Sequence, residues 1–159
     1  MKLLRALAAC LLLAGCGVSP DGPTLAGDAP TGVSPGVTLY FVDEHERLQP
    51  DQRKTGRLGS IADALALLFS GVAPGRGLHS EIGGGIDTPR VTVTTQPRLI
   101  QLWLPLARRE VQPLGVDQIV CTALGVHIQG GGARTARVRL DFTFGTTEAD
   151  ASRACPLLR

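Results

Sequence analysis

Aromatic side chains are scarce in this chain of 159 residues, which holds one Trp, one Tyr and four Phe. Most of the six (Tyr40, Phe41, Phe69, Trp103, Phe142 and Phe144) fall where a core needs them, so the sequence offers no stacking platform for bases or sugars. A basic excess is also missing. Sixteen Lys and Arg stand against 14 Asp and Glu, and Lys2 and Arg5 belong to a segment that processing is expected to remove. The remainder is neutral, so no nucleic-acid partner is expected: the charge that neutralises phosphates is absent. No apolar run approaches the ~20 residues of a membrane-spanning helix.

Signatures of catalysis are equally thin. There is no Gly-x-Ser-x-Gly, and the glycine-rich stretch 71–77 lacks the Gly-Lys-Ser/Thr of a phosphate loop. Asp43-Glu44-His45-Glu46 carries cation-binding residue types, but neighbours leaving a strand point apart and read as a solvated turn. His79-Ser80-Glu81 holds the letters of a triad, yet sequence neighbours seldom converge. Cys121 and His127 lack the paired spacing of a zinc site. The expectation is a protein with no catalytic residues, no metal and no cofactor.

The N-terminus, by contrast, is informative. Met1 to Arg5 carry two positive charges, and an apolar run from Ala6 to Ala14 ends at Gly15-Cys16. That is a secretory signal over residues 1–15. Leu13-Ala14-Gly15-Cys16 resembles the lipobox of bacterial lipoproteins, which makes Cys16 the lipidated first residue of the mature chain. Leu7-Ala8-Ala9-Cys10 also fits the pattern but leaves only four apolar residues after Arg5. The alternative is an ordinary secreted protein with an incidental cysteine. Two or three acyl chains at Cys16 would anchor the chain, whereas a single chain binds only marginally. The expected location is the extracytoplasmic face of the cell membrane, and the expected partners are that membrane and another envelope protein. Residues 17–36 contain five Gly, four Pro and no basic residue, which cannot form a core. With Cys16 they read as a tether whose root-mean-square span is roughly 25 Å.

The domain is expected over 37–145, followed by a tail over 146–159. Val37 to Asp43 is β-branched and aromatic and follows Pro35-Gly36, as a central strand would. Glu44 to Leu58 is charged and loop-like. Ser60 stands three residues before Asp63, a capping arrangement, and Ile61, Leu65, Leu68 and Phe69 recur at helical spacing until Gly71. Val91 to Thr95 and Leu99 to Leu104 form a hairpin around Gln96-Pro97. Val116, Ile119, Val120, Ala123 and Leu124 return to helical spacing, which Gly125 is expected to end. Val138, Leu140, Phe142 and Phe144 then alternate with Arg137, Arg139, Asp141 and Thr143. The reading is an α+β single domain of order β-α-β-β-α-β, with a four-stranded mixed or antiparallel sheet and two helices on one face. Its open face would carry Arg137, Arg139 and Asp141, either as a solvated surface or as a partner-docking face.

Gly59, Ala64-Leu65, Leu68 and Gly71, followed by Gly77-Leu78-His79-Ser80-Glu81-Ile82, resemble the GerMN domain of sporulation and spore germination proteins. Leu39-Tyr40-Phe41-Val42 and Gln118-Ile119-Val120-Cys121-Thr122 resemble it too, and the likeness covers roughly 37–145. The bias of 14 Arg to 2 Lys, with the lipobox, resembles the actinobacterial lipoproteins of that family. The resemblance implies an envelope protein without a catalytic centre, related to ring-building modules that use helix and sheet surfaces for protein contacts.

After lipidation of Cys16 the cysteines remaining in the mature chain are Cys121 and Cys155. Outside the membrane they are expected to form a disulfide that pins the tail to the second helix. A redox pair is the alternative, for which a close Cys-x-x-Cys spacing would be usual. The leading function is a lipid-anchored, non-catalytic protein-interaction module. A solute-binding or cell-wall-binding lipoprotein is the second.

Overall fold

The computed structural model describes residues 35–83, 85–87, 89–143 and 151–158. The signal segment, Cys16 and the tether as far as residue 34 lie outside the described residues, as do Phe144 and the beginning of the tail. The chain is α+β. Its elements run β1 (Val37–Asp43), β2 (Leu48–Arg53), α1 (Ile61–Phe69), β3 (Leu78–His79), β4 (Thr92–Gln96), β5 (Leu99–Leu104), α2 (Pro113–Gln129) and β6 (Arg137–Phe142).

The described strands form two three-stranded sheets instead of the single four-stranded sheet expected from the sequence. In one the order is β2-β1-β3, all antiparallel; in the other it is β4-β5-β6, with β4 antiparallel and β6 parallel to β5. The difference arises at β1. One of its edges pairs along its length with β2, from Val37↔Arg53 to Val42↔Leu48. At the other edge β3 takes only Val42 and Asp43, and side chains of α2 take Tyr40. Thr122 Oγ1 accepts from the Tyr40 N–H at 3.2 Å, and the Gln118 side-chain amide donates to the Tyr40 carbonyl at 3.0 Å. Two side chains one turn apart on α2 thus stand in for the next strand, and β1 has no edge left to offer β5 or β6. Pro50, opposite Tyr40, fits an outer strand, where its missing N–H costs no ladder bond.

Helix α1 starts where its capping box predicts. Ser60 accepts from Asp63 N–H at 3.1 Å, and Asp63 accepts from Ser60 N–H at 2.9 Å. Its inner face buries Ala64, Leu65, Leu68 and Phe69. Every residue of helix α2 from Gly115 to Val126 except Asp117 is buried, and the helix touches β1, β2, β6 and α1, so it is a central helix instead of a cover over one sheet face. It runs through Gly125 to Gln129, past the end expected from the sequence. A Cβ at Gly125 would sit 3.4 Å from the Tyr40 ring, so this glycine makes room for β1 and does not stop the helix. Gly115 is more constrained, because a Cβ there would fall 2.5 Å from the Glu81 carbonyl oxygen. That approach lets residues 81–83 lie against the start of α2, through Gln112 N–H to Glu81 O at 3.0 Å and Glu81 N–H to Gln118 Oε1 at 2.7 Å. Gln118 therefore ties three segments together from a fully buried position.

Candidate interaction face

Strand β5 reads Leu-Ile-Gln-Leu-Trp-Leu, and alternation divides it. Ile100, Leu102 and Leu104 are buried in the core, whereas Leu99, Gln101 and Trp103 point the other way. The registers then fix three cross-sheet rows: Thr92, Trp103 and Asp141; Thr94, Gln101 and Arg139; Gln96, Leu99 and Arg137. Trp103 stands on the middle strand and is 41% exposed. Beside it, Asp141 Oδ2 accepts from the Gln101 amide at 2.8 Å and lies 3.7 Å from Arg139 Nε. That Nε is buried and has no hydrogen-bond partner among the described residues. The face therefore joins a large exposed indole to a half-buried acid, amide and guanidinium group, all on a regular sheet that holds them in place.

The three residues expected on the open face are separated in role. Arg139 and Asp141 form part of this group. Arg137 is drawn toward the C-terminal segment, its Nε donating to Ser152 Oγ at 2.9 Å and its Nη2 to the Ser152 carbonyl at 2.6 Å. Trp103 and Gln101 belong to the site although neither was expected there. Trp103 also departs from the reading that most aromatics serve the core. The alternation of Leu99 to Leu104 carried the signal, since it puts Trp103 out of phase with Ile100 and Leu102.

Cys121 and Cys155 are joined, with Cα atoms 4.8 Å apart and a sequence separation of 34. Both are buried. The tail that brings Cys155 back also pairs with β6: Arg153 N–H donates to the Val138 carbonyl at 2.7 Å, and Val138 N–H to the Arg153 carbonyl at 2.8 Å. The nearby Asp117 is raised above its ordinary pKa by burial, an effect that Arg153 partly offsets.

The other polar clusters have structural explanations. At the β1–β2 turn, Asp43 Oδ1 accepts from the N–H groups of His45 and Arg47 at 2.9 and 3.0 Å. Its Oδ2 accepts from the Gln49 amide at 2.9 Å and from Arg47 Nε at 3.2 Å. Burial alone would raise Asp43, but the hydrogen bonds from Arg47 N–H, Gln49, His45 N–H and the Arg47 side chain outweigh it. They hold the carboxyl far below the usual carboxylate range. His79 Nε2 and Glu81 Oε1 meet at 3.0 Å, while Ser80 Oγ accepts from the Ile82 N–H at 3.2 Å. Two letters of the triad converge and the serine caps its own turn. Among the described residues no three His, Cys, Asp or Glu side chains are grouped to hold a metal ion. No described helix is long and apolar enough to cross a membrane.

Comparison with known proteins found no counterpart. No family model, no curated protein and no solved structure matches the chain.

Proposed function

We propose that this chain is a lipid-anchored, non-catalytic interaction module of the bacterial cell envelope that engages another envelope protein through the outer face of the β4-β5-β6 sheet. The observation that carries the reading is Trp103, exposed on the middle strand beside the Arg139–Asp141–Gln101 group. Trp and Arg are the residue types that most often dominate protein–protein contacts, where an aromatic anchor is ringed by polar groups. The lipobox at Cys16 supports membrane attachment through acyl chains, and residues 17–36 supply the reach. The resemblance to the GerMN domain supports the absence of catalysis and the use of sheet surfaces for contacts, and a sporulation assembly is the setting it suggests.

An exposed indole also stacks on sugar rings, so binding of cell-wall glycan through Trp103 is the second reading. Cross-linking in intact cells followed by mass spectrometry separates the two. The first predicts a reproducible envelope-protein adduct and no thermal shift of the purified protein with wall fragments. A large shift with wall fragments and no protein adduct would replace it with the second.

A further inference from the structure

We infer that the end of the domain at which the chain enters β1 is a docking surface for anionic lipid headgroups, which it meets through a cluster of exposed cations. The inference rests on the reading of Cys16 as a lipid anchor and adds which end of the domain faces that membrane.

The fold gathers cations from separate loops at this end. A Cβ at Gly36 would lie 3.4 Å from Lys54 Cα, and Arg57 lines the same shallow hollow as Val37. The last turn of α2 reaches this end too, where the Gln129 amide donates to Thr38 Oγ1 at 3.2 Å. Residues 130–136 then carry Arg134 to the start of β6, and there Arg137 N–H donates at 3.0 Å to the carbonyl of Arg98, in the turn before β5. Lys54, Arg57, Arg98, Arg134 and Arg137 are all exposed, and none makes an ion pair among the described residues. Arg137 donates to Ser152, which is neutral, so its charge is uncompensated. Two acids stand nearby. Asp51 is paired with Arg53, and Asp63 serves the Ser60 cap while Arg57 helps to lower its pKa. The opposite end mixes signs, with Glu44, Glu46 and Glu110 exposed beside Arg47 and Arg109. A chain whose charges nearly balance is therefore basic where β1 begins.

Placement selects the occupant. The cations lie around the point where residues 17–36 join the domain, and that segment spans only roughly 25 Å, so an anchored domain is held within reach of headgroups. They are also spread over several loops, which suits a plane of many phosphates better than one small anion. Each Lys or Arg close to an anionic surface strengthens attachment roughly fivefold. Trp103 lies four positions beyond Leu99 along β5, ~13 Å from the docked end, so docking leaves the indole clear of the membrane.

The test uses the full lipidated chain reconstituted into vesicles of phosphatidylcholine or of phosphatidylglycerol. Flotation with phosphatidylcholine reports the acyl anchor alone. Hydrogen–deuterium exchange across 54–59 and 131–136 should be at least ~fivefold slower on phosphatidylglycerol than on phosphatidylcholine, with 44–47 unchanged. High salt should abolish that protection, because the contact is made between exposed charges. Lys54→Glu combined with Arg57→Glu and Arg134→Glu, all at exposed positions, should abolish it too while flotation persists. The salt arm reads the same contact without a variant. The inference is overturned if the two loops exchange equally on both kinds of vesicle, if their protection survives high salt or the triple variant, or if 44–47 is protected in their place. Equal exchange with flotation intact removes the docking and keeps the anchor, whereas failure to float on phosphatidylcholine removes the anchor and the inference with it.

Discussion

Gln118 donates its side-chain amide to the main-chain carbonyl of Tyr40 at 3.0 Å, from a position on α2 with no solvent exposure. The same side chain accepts from Glu81 N–H, so one residue satisfies main-chain groups on two other segments. Replacement by leucine preserves bulk and orphans both groups, each worth ~1–3 kcal/mol when buried. Urea unfolding of Gln118→Leu should lose stability on that scale, with Thr122→Val losing less because only the Tyr40 N–H is affected. Unchanged midpoints for both would remove α2 as the partner of β1.

Cys155→Ser opens a loop closed over 34 positions, which loop-closure entropy values at ~3 to 4 kcal/mol. Protein isolated under thiol trapping should yield a linked Cys121–Cys155 peptide. In the variant, exchange should rise first at residues 151–158, where one bridge to Val138 and the contact of Arg137 with Ser152 remain. Separate, alkylated Cys121 and Cys155 peptides from the native protein would refute the bond.

Asp43 gives the β1–β2 turn a defined pH response. Its folded-state pKa is depressed, so its stabilisation is fully present above the ordinary carboxylate pKa and declines as pH falls below ~4 toward the folded value. Asp63 is lowered too, by the Ser60 main-chain and side-chain hydrogen bonds, and a single substitution isolates the turn. The gap in melting temperature between the native protein and Asp43→Asn should be widest near pH 7 and shrink between pH 4 and pH 2. A gap that stays constant over that range would mean that the carboxylate charge plays no part.

The proposed membrane attachment rests on one residue. Cys16→Ser should release the protein to the soluble fraction or leave it with an uncleaved signal. A Cys16→Ser protein that is fully membrane-bound with its signal removed would place the anchor elsewhere.

What could be read from the sequence depended on whether a signal was local. The Ser60–Asp63 box, the apolar face of α1 and the pairing of β4 with β5 rest on spacing within one segment and are present, although the hairpin turns at Pro97-Arg98, one residue later than expected, and α2 is buried well beyond the single face that its spacing suggested. β2 was hidden because an outer strand needs little apolar surface: Leu48 is the one aliphatic residue in it, and the rest is Gln, Pro, Asp and Arg. The division into two sheets was hidden for a related reason. It depends on Thr122 and Gln118 reaching Tyr40 across some 80 positions, which no periodicity records. Gly125 looked like a stop signal because its partner, the Tyr40 ring, is equally distant in sequence. Arg139 and Asp141 were legible as an outward face by alternation, while Gln101 and Trp103 joined them only once β5 and β6 were paired in register.

The central claim is that a partner protein meets the face around Trp103. A photoreactive phenylalanine analogue placed at Trp103 in intact cells tests it most directly, with the same analogue at Gln52 on exposed β2 as control. The account predicts a discrete protein adduct from position 103, lost when Arg139 and Asp141 are both changed to Ala, and none from position 52. Adducts of equal yield from both positions, or none from 103 while 52 captures a partner, would contradict it.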